Sequence, residues 1–184
     1  REAFQESGRR VTLYKGVREW FARINAYGAA RGIRILHYIN SSGLKEIIEG
    51  TEIAHEFRRI YACSFLYDVD GIAYWPAVAV NYTNKTQFIF KINKGVESVF
   101  DSKLVNQYIE EDKRPVPFRR MIYVGDGTTD IPCMRLVKNS GGHSIAVYNP
   151  EIRNARRELN GLIRDNRVSH VCPADYSEGS EMDT

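Results

Sequence analysis

The sequence predicts an α/β fold in three layers, a mostly parallel sheet with helices on both faces, and three observations carry that prediction. Short apolar runs rich in β-branched and aromatic residues, such as "IRILHYI" and "RMIYVG", alternate with amphipathic segments of helical period. The runs are apolar enough to be covered on both sides, as parallel strands between helix layers are. At 184 residues the chain is long enough for one domain with a substantial core and too short for two ordinary ones with room to spare.

Taken in order, residues 16 to 30 place Val17, Trp20, Phe21, Ile24 and Tyr27 on one helical face, and Gly32 is a plausible stop. Residues 33 to 39 read as a strand, and "NSSGLKEIIEG" turns at once into a helix ending at Gly50. Helix is expected to continue from residue 53 into the strand "IYACSFLYD", and "DVDG" with the returning "IAYWPAVAV" makes a small β-hairpin around residues 60 to 80. Phe88, Ile89 and Ile92 give residues 85 to 93 a helical spacing, and the reading favours helix over strand there. "NQYIEEDKRPVPF" reads as a helix tail and an exposed loop. The strand "RMIYVG", a helix over 131 to 138, the strand "GGHSIAVY", the Arg-rich helix "PEIRNARRELNGLI" and a last short strand "VSHVCPA" complete the order. The start lacks Met and is polar, and Ser180 to Asp183 looks like a first helical turn, so the chain reads as truncated at both ends.

Composition excludes several classes. Hydrophobic residues at 43% and charged residues at 27% are ordinary for a globular protein and argue against disorder. A net charge of +3 falls short of the concentrated basic face that nucleic acid requires, and Arg153, Arg156, Arg157 and Arg164 read as a solvated helix face. Cys63, Cys133 and Cys172 are odd in number and widely spaced, which fits a reducing compartment better than a disulfide framework or a zinc knuckle. No run approaches the roughly 18 apolar residues that span a bilayer, so a soluble, cytoplasmic protein without membrane or nucleic-acid partners is expected.

In open parallel sheets ligands bind beyond the carboxyl ends of the strands. Two loops there carry useful chemistry: "NSSG" after residue 39 and "GDGTTD" after residue 124. Asp126 and Asp130 suit a hard cation such as Mg²⁺, with Gly125 and Gly127 allowing a tight turn around it. The competing reading makes Asp126-Gly127 a plain turn and Asp130 the cap of the next helix. Ser41, Ser42 and Gly43 offer a hydroxyl and backbone N–H groups to a phosphate, or serve only as a helix cap. His37 in an apolar strand reads as a core histidine, and Cys133 as a buried thiol.

"YVGDGTTDIPCM" resembles the fourth motif of the haloacid dehalogenase-like phosphohydrolase superfamily, an apolar strand followed by Gly-Asp-Gly-x-x-Asp. "ILHYINSSGL" resembles the second motif and "NKTQFIFKIN" the third, in the same order, over roughly residues 16 to 150. The branch with phosphoserine phosphatase is the most similar. The resemblance implies a Rossmann-like core over 16–184, with residues 1–15 as the tail of a helical cap or a linker. It implies Asp126 and Asp130 at a Mg²⁺ site, Ser41 on the transferring phosphoryl group, Ser42 and Gly43 as backbone donors, and Lys85 neutralising the phosphate. Lys94 competes with Lys85 for that role.

One departure limits the carry-over. The family's nucleophilic aspartate belongs to a first motif, Asp-x-Asp, and nothing before Ser41 contains one. Asp68-Val69-Asp70-Gly71 has the right letters at the wrong place in the order, flanked as a hairpin turn would be. The expectation is a Mg²⁺-dependent phosphatase that hydrolyses a small phosphomonoester through an aspartyl-phosphate in the intact protein, with this chain alone inactive. A missing N-terminal segment or a second copy would then fill the gap in the sheet. The alternatives are a non-catalytic phosphate- and Mg²⁺-binding relative or interaction module, and an α/β domain in which "GDGTTD" is only a turn and a cap.

Overall fold

The computed structural model describes residues 1–184, and the chain divides into two units, one of Arg1–Asn81 with Asp175–Thr184 and one of Tyr82–Ala174. The fold is mixed α/β with two sheets of three strands each. One continuous sheet was the expectation; the strands instead pair in two separate sets. No helix is long and apolar enough to cross a membrane.

In the first unit, helix α1 (Glu2–Gly8) packs on α3 (Lys45–Glu49), and α2 (Val17–Ala29) follows the expected amphipathic segment. Strand β1 (His37–Leu44) pairs in parallel with β2 (Phe57–Tyr67), which pairs antiparallel with β3 (Ala73–Val78). The β2–β3 pair is the expected hairpin. β1 starts four residues later than the apolar run predicts, and the first residue of that run, Ile33, closes the end of α2 instead. Gly32 is left-handed at φ +67°, and the Ile33 N–H reaches back to the Gly28 carbonyl at 2.9 Å. That closes the helix end and leaves Ile33 exposed outside the strand. The helix expected from residue 53 is only a 3₁₀ turn at Ala54–Glu56, since β2 begins at Phe57.

The segment after Ala174 returns to this unit. The Tyr176 N–H donates to the Lys15 carbonyl at 2.8 Å, and the Arg23 guanidinium donates to the Tyr176 carbonyl and, at 3.0 Å, to Asp183. Gly16 permits this approach: its φ is +77°, and a Cβ there would lie 2.3 Å from the Ser177 nitrogen. Residues 180 to 183 form a turn and not the first turn of a regular helix. His37 is half-buried, its ring 5.0 Å edge-on from Phe21, with Nε2 2.9 Å from Asn25 Oδ1. Burial holds its pKa below the ordinary imidazole value, as the reading of a core histidine expects.

In the second unit, β4 (Ile122–Gly125), β5 (His143–Tyr148) and β6 (His170–Pro173) make an all-parallel sheet in sequence order. Helix α4 (Lys85–Lys94) confirms the helical reading of "KTQFIFKIN". Helix α6 (Ile131–Asn139) follows β4 as expected, and α7 (Ala155–Arg164) starts five residues later than its pattern, after Asn154 turns through a left-handed φ of 67°. The short α5 (Lys103–Asn106) is all that forms of the helix before the Pro-containing loop. Ile89, Phe118, Cys133 and Val137 make one buried cluster, and Met134, Ala146, Val168 and Val171 make another. Tyr123 of β4 packs against both. Arg153, Arg156, Arg157 and Arg164 are all exposed, as a solvated face requires.

Candidate functional site

The second unit brings three of the sequence candidates to the carboxyl end of one parallel strand or next to it. β4 ends at Gly125, Asp126 follows it, and Thr128–Asp130 make a single 3₁₀ turn into α6. Asp126 is exposed at the strand end and forms no ion pair. Asp130 is buried, and it occupies the N-cap position of α6 without making a side-chain cap bond. The capping explanation of this residue is therefore wrong in its physical content. The carboxylate turns away from its own helix and toward α4.

There it meets Lys85. Lys85 Nζ lies 2.8 Å from Asp130 Oδ1, with side chains only 6% and 9% exposed. Lys85 is the first residue of α4, where the helix dipole disfavours a cation, so its charge is held against both burial and the local field. Asp130 compensates for that. A charge-assisted hydrogen bond between buried partners is also rigid, because neither group has water as an alternative.

A third group completes the arrangement. The Tyr123 hydroxyl donates to the same oxygen, Asp130 Oδ1, at 2.6 Å. Burial, then the neighbouring Cys133 and Asp130, push the Tyr123 pKa well above the ordinary phenol range, so the group stays a neutral donor. Cys133 is fully buried, as the sequence reading expects of it. Sequence reasoning missed Tyr123. The available signal was a tyrosine inside an otherwise apolar strand, since a buried phenol needs a partner for its hydroxyl.

Gly125 makes room for all of this. A Cβ at that position would lie 2.7 Å from Asp130 Cβ and 2.9 Å from its Cγ, closer than real Cβ contacts come. A Cβ at Gly127 would be 3.8 Å from Asp130 Oδ2, an ordinary contact. The first glycine of "GDG" is thus there for close approach of the carboxylate, and not for a left-handed turn.

The two lysines differ in what they donate to. Lys94 Nζ donates to the Val105 carbonyl at 2.7 Å and to the Gln107 carbonyl at 2.6 Å, so it holds a loop. Lys91 does the same with the carbonyls of Ser98 and Asp101. Lys85 alone of the three donates to a candidate carboxylate.

Ser41, Ser42 and Gly43 belong to the first unit. They lie near the end of β1, where the pairing with β2 shifts register between Asn40 and Leu44. Helix α3 starts at Lys45 with Leu44 as its cap, so neither serine caps it and Gly43 does not open it. The Gly43 N–H donates to Ser41 Oγ at 3.0 Å, which makes the stretch a hydroxyl-closed bulge. Asp68 is also accounted for within this unit. Its Oδ1 accepts the N–H groups of Asp70 at 3.0 Å and Ile72 at 2.8 Å, and Gly71 takes φ +76°. "DVDG" is a closed hairpin turn.

No group of three or more His, Cys, Asp or Glu side chains is gathered in one place. Asp126 and Asp130 supply two carboxylates, which is the number Mg²⁺ commonly takes from protein while waters and substrate phosphate fill the rest. In type and number these two carboxylates suit such an ion.

Comparison with other proteins adds little chemistry. No family model matches the chain. An uncharacterized protein of Borreliella burgdorferi is 28% identical to it over 211 residues, covering 99% of this chain and 71% of that protein.

Proposed function

We propose that the chain carries the cation- and phosphate-binding part of a Mg²⁺-dependent phosphatase of the haloacid dehalogenase-like kind, acting on a small phosphomonoester. The observation that carries this reading is the buried Lys85–Asp130 pair beside the exposed Asp126 at the end of a parallel strand. A structural ion pair needs no free carboxylate beside it. A phosphoryl-transfer site does, because its work is to hold an anion and a divalent cation in fixed positions.

In this reading Asp126 and Asp130 hold the ion and Lys85 faces the phosphate. When bound, Mg²⁺ would offset the charge that builds on the phosphoryl oxygens. Ser41, Ser42 and Gly43 are assigned to phosphate binding by the resemblance alone. The nucleophilic aspartate comes from outside residues 1–184, since Asp68 and Asp70 are committed to a hairpin turn. The single Rossmann-like sheet that the resemblance implies, completed by a further strand, belongs to the same proposal, as does a cytoplasmic location.

The test is phosphate release from a panel of phosphomonoesters by the intact protein with Mg²⁺. Turnover that requires Mg²⁺ and falls at least about a hundredfold in Asp126→Asn, with the fold unchanged, supports the reading. Mg²⁺-dependent turnover that survives the substitution contradicts it. Cation binding without turnover on any substrate favours the non-catalytic relative.

A further inference from the structure

We propose that Tyr123 is a positioning residue for the cation site: together with Lys85 it fixes Asp130 in one orientation, so that one carboxylate oxygen is left for a divalent ion. The inference rests on the functional reading above and assigns a residue that the resemblance does not.

The geometry divides the two oxygens of Asp130 between two tasks. Lys85 Nζ at 2.8 Å and the Tyr123 hydroxyl at 2.6 Å both go to Oδ1. Neither donor goes to Oδ2, which lies on the side of Gly125 and Gly127: it would be 3.1 Å and 3.8 Å from a Cβ at those two positions. That is the turn carrying Asp126. A carboxylate held by one donor rotates about its bond, whereas two donors converging on one oxygen from different elements fix its plane. Lys85 comes from α4 and Tyr123 from β4, and the phenol ring is clamped between both core clusters of the unit.

The hydroxyl is the only part of Tyr123 that needs this explanation. Phenylalanine would fill the same space against the core. A buried hydroxyl without a partner costs free energy, so a tyrosine here is warranted by what it donates to. Its bond to a carboxylate is of the short, charge-assisted kind. Groups that orient a metal ligand from behind commonly change metal affinity by about 10- to 100-fold when removed.

Mn²⁺ serves as the probe, because free Mn²⁺ can be counted by electron paramagnetic resonance as the intact protein takes it up. The expected result is uptake by the wild-type protein, its loss in Asp126→Asn, and about tenfold weaker uptake in Tyr123→Phe with the metal-free variant still folded at the temperature of the titration. In an Asp130→Asn background, the Tyr123→Phe change should cause no further loss, because Tyr123 acts through the carboxylate. A merely structural role would weaken uptake equally in both backgrounds, and that result overturns the inference. So does uptake that Asp126→Asn abolishes and Tyr123→Phe leaves alone, in which case the functional reading stands. No uptake by wild type, or uptake indifferent to Asp126→Asn, overturns the functional reading and this inference together.

Discussion

Two loops of this chain have nearly the same letters and opposite physical characters. Asp68-Val69-Asp70-Gly71 in the first unit and Gly125-Asp126-Gly127 with Asp130 in the second both follow apolar strands and both combine carboxylates with glycine. In the first, the Asp68 carboxylate accepts two N–H groups of its own turn, and Val69 at the tip is fully exposed. In the second, Asp130 accepts from Lys85 and Tyr123, which lie 45 and 7 residues away in sequence. A carboxylate that serves its own backbone makes a turn; one served by side chains of other elements ties those elements together. The difference lies in the origin of the donors and not in the motif's letters.

The largest effect should come from removing the carboxylate that the second loop buries. Asp130→Ala leaves the Lys85 ammonium buried without its counterion and should destabilise the unit by about 3–5 kcal/mol. Replacing both partners by apolar residues should recover much of that loss, because the cost is in the orphaned charge. Asp68→Ala removes two exposed turn bonds and should cost about 1 kcal/mol. Urea unfolding followed by circular dichroism separates these, and it is preferred to tryptophan emission because Trp20 and Trp75 both lie in the first unit. Equal costs for the two alanine variants would break the contrast.

The glycines give an intermediate test. Gly125→Ala drives a methyl into Asp130 and should cost about 1–3 kcal/mol while displacing the carboxylate. Gly71→Ala meets open space, so its cost should be only the left-handed backbone penalty, about 1 kcal/mol. A crystal structure of Gly125→Ala should show the bond from Lys85 to Asp130 lengthened or lost. An unmoved Asp130 would mean that close approach is not the reason for glycine at this position.

Much of this was legible in the sequence, for local reasons. The helices at 17–29, 85–94 and 131–139 have periodic apolar faces, the hairpin has an Asp-Gly turn, and the strand before Gly125 is short and apolar. Asp126 and Asp130 were found as candidates because their spacing matches a known pattern, and Lys85 because it stands at the start of an apolar helical pattern in the expected order. What failed depended on partners that the local period of a segment does not display. The start of β1 moved because the end of α2 consumed Ile33, a competition that periodicity does not display. The serines at 41 and 42 looked like a helix cap, but an eleven-residue β2 pairs with β1 as far as Leu44 and keeps that stretch in the strand. Tyr123 was missed for the same reason: the partner of its hydroxyl, Asp130, comes into reach only once the chain turns from β4 into α6.

The smallest expected change in stability carries the sharpest functional contrast. Asp126→Asn and Asp70→Asn each neutralise an exposed carboxylate beside a glycine, and neither should alter the stability of the metal-free protein by more than about 0.5 kcal/mol. Their responses to Mg²⁺ should differ. A ligand that binds only the folded state stabilises it by an amount that grows with the logarithm of its concentration, about 2.7 kcal/mol at a hundred times its dissociation constant. The wild-type protein and Asp70→Asn should therefore melt at rising temperature as Mg²⁺ is titrated in, and Asp126→Asn should not. If Asp126→Asn rises with the others, the added stability comes from a site elsewhere, and the second loop loses its distinction from the first in chemistry while keeping it in packing.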